Sequence, residues 1–394
     1  MTSGTIRLFI VAGEESGDRL AADLVAEMKR RFAHVEVAGI GGDGLKALGL
    51  DPLFPMDEIS LMGITAVISR LPNLIRRISQ TAAAAISYRP DAVVLVDAPD
   101  FNLRVAKRIR ARGPSVPIIK WVSPSVWAWR PGRARAMVPH VDHLLALLPF
   151  EPEVHKRLGG PPCTYTGHPL LMRIDELRPV SGERVPLNEA DPPELLVLPG
   201  SRRGELKSHA RLFGEAIGFA HDRGARFKVT VPTLPRIADD VKKAVESWPL
   251  PAEVVSTQEE RNAAYRRAHA ALAASGTVTL ELALAGIPMI VGYHLDAIAL
   301  RIAPLIRVWT VVLPNLILGR QAVREFLGTT LRPEVLGAGV ELLVTDTPER
   351  RAMIESLAEL DAHMETGDRS PAEIAADAVL ETVAQKRRGL LPAG

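Results

Sequence analysis

The stretch from Leu272 to Tyr293 constrains what this chain can fold into more than any other. An apolar run, Ala270 to Ala274, meets the turn Ser275-Gly276-Thr277, and Leu280, Leu282 and Leu284 follow among the helix formers Glu281, Ala283 and Ala285. Gly286 and Pro288 stop that segment before a second buried run, Met289-Ile290-Val291. Strand, tight turn, helix and strand in this order make one unit of a parallel sheet covered on both faces. A Ser-Gly-Thr turn at a helix start presents free backbone N–H groups and hydroxyls, which suit phosphate oxygens. Glu281 lies one helical turn beyond Thr277 and can accept hydrogen bonds from a sugar or ribose diol. An ordinary strand-to-helix turn with a solvated Glu fits the same residues, and the residues alone leave both readings open.

The unit recurs along the chain. Leu8 to Ala12 runs into Gly13-Glu14-Glu15-Ser16-Gly17-Asp18 and a helix with Leu20, Ala21, Leu24, Val25 and Met28 on one face. Ser16 and Asp18 also suit plain N-capping there. Glu194 to Leu198 runs into Pro199-Gly200-Ser201-Arg202-Arg203-Gly204-Glu205 and a long helix. With 394 residues, two doubly wound Rossmann-like α/β domains in succession are the natural reading. The proline- and glycine-rich stretch Gly159 to Pro169 reads as the connection, dividing an N-terminal domain over 1–170 from a C-terminal one over 171–346, with helices over 347–394. Thr347-Pro348 and Ser370-Pro371 are N-cap and N1 pairs for those helices. Gly39, Gly41 and Gly44 match G-x-G-x-x-G literally, but they follow the second strand rather than the first, which argues against a dinucleotide site.

A net charge of +2 gives no general case for nucleic-acid binding. Cys163 is the single cysteine, which excludes an internal disulfide and a cysteine-based zinc cluster. The start of the chain has no basic, apolar leader pattern, and no apolar run is long enough for a transmembrane helix. Between Leu61 and Ile78, apolar residues recur at helical spacing with Arg70 and Arg77 opposite, and Pro72 predicts a split into two helices. A core-facing helix and an interfacial helix both fit this pattern.

Asp91 to Asp97 is a buried strand ending in a carboxylate, and the carboxyl ends of strands line the crevice in open α/β sheets. Capping the next helix suits Asp100 better than Asp97. Ser123 to Arg130 places Trp127, Trp129 and Arg130 on one loop, which binds something or packs a junction.

Gly13-Glu-x-Ser-Gly-Asp18, Asp97-Ala-Pro-Asp-Phe-Asn102, Val122-Ser-Pro-Ser-Val-Trp-Ala-Trp-Arg130, Leu148-Pro-Phe-Glu151, Gly167-His-Pro169, Leu198-Pro-Gly-Ser-Arg202 with Glu205, Ser275-Gly-Thr-x-Thr-Leu-Glu281 and Leu313-Pro-Asn-Leu316 with Gly319-Arg320 stand in one collinear series. Together they resemble the lipid-A-disaccharide synthase family. Trp121 stands where that pattern usually has Tyr, and Ala66 where Glu is common. The resemblance implies a B-type inverting glycosyltransferase whose last helices cross back to the first domain. It further implies transfer of 2,3-diacylglucosamine from UDP to the 6-hydroxyl of 2,3-diacylglucosamine 1-phosphate, giving a β(1→6) disaccharide and UDP. On that basis Asp97 is the candidate base, and Ser16, Gly17, Gly200, Ser201, Arg202, Glu205, Ser275, Gly276, Thr277, Glu281, Asn315 and Arg320 are candidate UDP-sugar contacts. Asp100, Asn102, Ser125, Trp127, Trp129 and Arg130 are candidate acceptor-side residues. Leu61, Ile64, Val67, Ile68, Leu71 and Leu74 are candidate contacts with the cytoplasmic face of the inner membrane, making the protein peripheral. No Asp-x-Asp pair stands on a loop as a metal-bridged diphosphate would need, so no divalent ion or other cofactor is expected. A homo-oligomer stays open. A sugar-nucleotide epimerase or a non-catalytic UDP-sugar-binding module on the same scaffold are the rival readings.

Overall fold

The computed structural model describes residues 2–59, 64–113, 115–294 and 308–389. The chain forms two compact units, one made of Met1–Pro169 with Thr366–Gly394 and the other of Leu170–Glu365.

The first unit is built on a six-stranded parallel sheet of β1 (Thr2–Ala12), β2 (Phe32–Ile40), β3 (Ala92–Val96), β4 (Ile118–Trp121), β5 (His143–Ala146) and β6 (Cys163–Tyr165), in the order β2-β1-β3-β4-β5-β6. Side chains of a strand alternate between its two faces, and both faces are covered here, which explains why β1 is apolar from Leu8 to Ala12. Leu8 and Ile10 pack with Leu20 and Leu24 of the helix Glu15–Arg31 and with Val379 of the helix Pro371–Arg387. Phe9 and Val11 face the other way, onto Leu74, Ile78, Phe101 and Val105.

The helix Ile64–Tyr88 runs continuously through Pro72 rather than splitting there. Proline in a helix interior costs about 3 kcal/mol, and the face formed by Leu74, Ile78, Ala82 and Ala85 packs on the sheet and outweighs that loss. Leu74 is thereby a core residue, 6% exposed, and not a membrane contact. Leu61 and the side chains of Ile64, Val67, Ile68 and Leu71 lie outside the described residues. Arg77, which the spacing put opposite the apolar face, ion-pairs with Glu58 and lies over the Phe54 ring, 4.2 Å from its centroid.

The glycine-rich turn Gly41 to Gly44 within the G-x-G-x-x-G match encloses a carboxylate of the chain itself. Gly42 N–H and Gly44 N–H donate to Asp18 at 2.7 and 2.8 Å, so Asp18 leaves its own helix start uncapped and ties down the turn after β2.

The second unit repeats the plan with β7 (Glu194–Leu198), β8 (Lys228–Pro232), β9 (Ala252–Val255), β10 (Ala270–Ala273), β11 (Met289–Tyr293) and β12 (Arg324–Leu327), in the order β12-β11-β10-β7-β8-β9. The expected block 347–394 divides. The helices Pro348–Ala358 and Leu360–Met364 belong to the second unit, burying Met353, Leu357, Leu360 and Met364, and only Pro371–Arg387 belongs to the first. Thr347 and Ser370 cap their helices, each accepting from the backbone N–H three residues on. The edge strands β6 and β12 escape the sequence reading because each is short and mixes polar with apolar residues. Among the described residues, no helix is long and apolar enough to cross a membrane.

Candidate active site

In each sheet the strand order reverses once, and the carboxyl edge at a reversal is where doubly wound folds bind ligands. The reversals fall between β1 and β3 in the first unit and between β7 and β10 in the second.

At the first reversal, β3 runs straight into Asp97. Its φ is +53° and that of Ala98 is +36°, so two consecutive non-glycine residues hold the left-handed conformation. Such positions cost on the order of 1–3 kcal/mol each and persist only where the surroundings enforce them. The enforcing groups are visible. The Asp97 N–H donates to Trp121 O at 3.2 Å, and Asn102, fully buried, donates through Nδ2 to Val96 O and Asp97 O, both at 2.9 Å. Ser16 Oγ donates to Asp97 Oδ2 at 3.4 Å, and a Cβ on Gly17 would run into the same carboxylate oxygen. Burial pushes the Asp97 carboxyl above its ordinary range, opposed by Lys120 and by the Ser16 hydrogen bond.

Behind the strand ends lies a buried polar group that the sequence reading did not collect. Lys120, on the otherwise apolar β4, is fully buried, as is most of Glu151 at the start of the helix Glu151–Leu158. Burial pushes Lys120 down to about 7 and Glu151 up to about 7. Glu151 accepts from Leu148 N and Trp127 Nε1, each at 3.1 Å, and Ser123 Oγ meets His155 Nε2 at 2.7 Å. The available signals were a lysine inside an apolar strand and the glutamate of Leu-Pro-Phe-Glu. Trp127 thus packs as well as bonds, edge-on to Phe150 with ring centroids 5.5 Å apart. Arg130 lies over Trp129, while Ser125 and Asp100 are exposed and Asp100 ion-pairs with Arg133.

The second reversal opens on a cavity of about 500 Å³. Leu198 of β7 and Ala273 of β10 are neighbours in register, so the two glycine-bearing turns after them lie side by side. Gly200, Ser201, Arg202, Glu205, Ser275, Gly276, Thr277 and Glu281 all line this cavity. Gly200 has φ +125°, and any side chain there would collide with Glu205. Glu205 holds the turn by accepting from Ser201 N at 2.9 Å, and Arg202, with its side chain 61% exposed, is left facing solvent. Burial pushes Glu281 up, opposed by the Tyr265 hydroxyl, which donates to it at 3.2 Å, and by Arg261 and Arg173. Arg173, Arg261, Asn262 and Tyr265 also line it and were not foreseen, because no glycine-bearing turn or motif marks them: the last three lie on the helix Gln258–Arg267 just before β10.

Three sets of predicted donor contacts do not join this lining. Ser16 and Gly17 belong to the first unit, against Asp97. Asn315 is fully buried and spends its amide on Val323 O, Val323 N and Ala322 N, bracing its own loop. Arg320 ion-pairs with Glu359 at 2.7 Å.

The sequence profile of the family described as Lipid-A-disaccharide synthetase matches residues 8–379. The chain belongs to the lipid-A-disaccharide synthase family. The lipid-A-disaccharide synthase of Nitrobacter winogradskyi is 49% identical over 383 residues, covering 97% of this chain and 96% of the relative. Among solved structures, the calicheamicin glycosyltransferase CalG4 matches with a TM-score of 0.57 at 17% identity, over 98% of this chain and 99% of that one. The UDP-GlcNAc 2-epimerase of Neisseria meningitidis, bound to UDP-GlcNAc, matches with a TM-score of 0.60 at 13% identity, over 95% and 100%. A transferase and an epimerase share this two-domain B-type glycosyltransferase fold, so the fold leaves the reaction open and family membership narrows it.

Proposed function

We propose that the protein transfers 2,3-diacylglucosamine from its UDP conjugate to the 6-hydroxyl of 2,3-diacylglucosamine 1-phosphate, with inversion and without a metal ion. The observation that carries the chemistry is the strained, partly buried Asp97 at the first sheet's reversal. In this reading Asp97 takes the 6-hydroxyl proton as that oxygen bonds to the anomeric carbon. The bond from that carbon to the β-phosphate oxygen breaks, and UDP leaves with the electron pair. A carboxyl raised above its ordinary range is better matched to a hydroxyl proton near neutral pH than an exposed aspartate is. Arg202 and the N–H groups of the 200–202 and 275–277 turns offset the charge that develops on the leaving diphosphate, and Glu281 binds the ribose diol.

Membrane docking through Leu61 to Leu71, the first part of the Leu61 to Ile78 stretch, belongs to the same reading. Withdrawing a ten-carbon acyl chain from a bilayer costs on the order of 8 kcal/mol, so the enzyme should go to its substrates. Replacing Ile64, Ile68 and Leu71 with Ser should release folded protein from anionic vesicles, and retention on the vesicles would remove this stretch from the contact.

The reaction is tested by incubating the protein with the diacylated donor and acceptor and weighing the products by mass spectrometry. A β(1→6) disaccharide is the expected product. Epimerised donor, or donor bound without turnover, would overturn the reading.

A further inference from the structure

Lys120 stands in the middle of an apolar strand with no exposed surface at all. An ammonium is among the costliest groups to bury, and its place needs a reason. Two of its three N–H donors have a defined partner: Nζ donates to Trp121 O at 2.6 Å and to Val122 O at 2.9 Å, curling over the end of its own strand. Trp121 O is the same carbonyl that accepts the Asp97 N–H, so one oxygen joins the lysine to the backbone of the strained aspartate. Val122, the other acceptor, is itself a β-branched residue at φ +65°, a conformation that needs outside support. Lys120 therefore fastens the ends of two adjacent strands where both leave ordinary backbone geometry.

The ionisable neighbours come from three directions. Asp97 faces Lys120 from the end of β3, and Ser16 reaches Asp97 from the start of the helix Glu15–Arg31. Glu151 faces Lys120 from the helix Glu151–Leu158, where His155 follows one turn later on Ser123. Cys163 on β6 is within electrostatic reach of Glu151.

We propose that Lys120 is a positioning residue for Asp97: its ammonium clamps the strand-end carbonyl on which the Asp97 backbone rests and supplies the buried positive charge that holds the Asp97 carboxylate ionised. This rests on Asp97 being the base of the transfer reaction. Burial opposes ionisation of Asp97 and the lysine counters it, so removing the lysine leaves burial unopposed and the carboxyl keeps its proton to higher pH.

Two variants separate the charge from the clamp. Lys120→Gln keeps N–H donors for the two carbonyls but has no charge, whereas Lys120→Met loses both. Two measurements are made on each: the pH profile of kcat/KM, and the titration of the Asp97 carboxyl carbon in protein labelled with ¹³C-aspartate, the resonance being assigned by its loss in Asp97→Asn. In Lys120→Gln both the carboxyl titration and the acid limb should move up by about one pH unit or more, with the rate above the limb kept within about tenfold of the parent. Lys120→Met should show the same shift and a lower plateau. If Lys120→Met does not fold, Lys120→Gln decides alone. A folded Lys120→Gln whose Asp97 carboxyl titrates as in the parent overturns the proposal. A carboxyl that shifts under an unmoved acid limb overturns the assignment of Asp97 as base, and with it the catalytic part played by Lys120.

Discussion

Both sheets reverse their strand order once, with two strands to one side of the reversal in the first unit and three in the second, and the two strand-end sites there are built in opposite ways. In the second unit the unusual backbone falls on glycines, Gly200 at φ +125° and Gly276 at +153°, and the cavity beside them is lined by exposed N–H groups, hydroxyls and arginines. In the first unit it falls on Asp97, Ala98 and Val122, residues with side chains, and buried charges stand behind them. Glycine lets a backbone approach a ligand at little strain. Strain placed on a side-chain-bearing residue fixes where a reacting group points. In the proposed reading, the turns of the second unit hold the donor and the aspartate of the first acts on the acceptor.

The sharpest way to break this contrast is Asp97→Asn. It keeps the size and most hydrogen bonds but cannot accept the proton, so kcat should fall at least about a hundredfold, with melting temperature and UDP affinity nearly unchanged. Asp100→Asn is the control: exposed and paired with Arg133, it should cost less than about tenfold. If Asp100→Asn abolishes turnover and Asp97→Asn does not, the base is Asp100.

On the holding side, Gly200→Ala should weaken UDP about ten- to a hundredfold by calorimetry, because it combines left-handed strain with a collision against Glu205. Unchanged affinity would mean that the 199–202 turn does not carry the diphosphate.

Arg202→Ala should weaken UDP about tenfold or more, the loss of a charge-assisted contact. Its melting temperature should stay put, since the side chain is 61% exposed and ion-paired only loosely, at 3.6 Å, with Glu205. A lowered melting temperature with intact UDP binding would make Arg202 a prop for the turn.

The smallest effect is expected for Glu281→Gln. It should raise the donor KM a few-fold, about 1 kcal/mol or less, and leave kcat nearly intact, because ribose contacts are alike in the ground and transition states. A fall in kcat at constant KM would move Glu281 from the ribose to the reacting sugar.

The sequence by itself determined the repeated strand–turn–helix units, hence two doubly wound domains, and the turns that follow β1, β3, β7 and β10. These were legible because apolar runs, glycine breaks and helix caps are local signals, set by residues within a few positions of one another. Eight of the twelve residues assigned to the sugar nucleotide line one cavity for the same reason: they sit on two such turns. The strand order was not legible, since it is fixed by which apolar faces meet at long range, and only that order set the turns after β7 and β10 next to each other. Asn315 shows the limit from the other side, for its motif announced a polar residue but only packing decided that its amide would turn inward to brace a loop. Lys120 and Glu151 belong to the same class: a charge in an apolar strand and another at a helix start are 31 positions apart in sequence. Tertiary packing brings Lys120 to face both Asp97 and Glu151, and burial, which no local pattern encodes, then changes what each group can do.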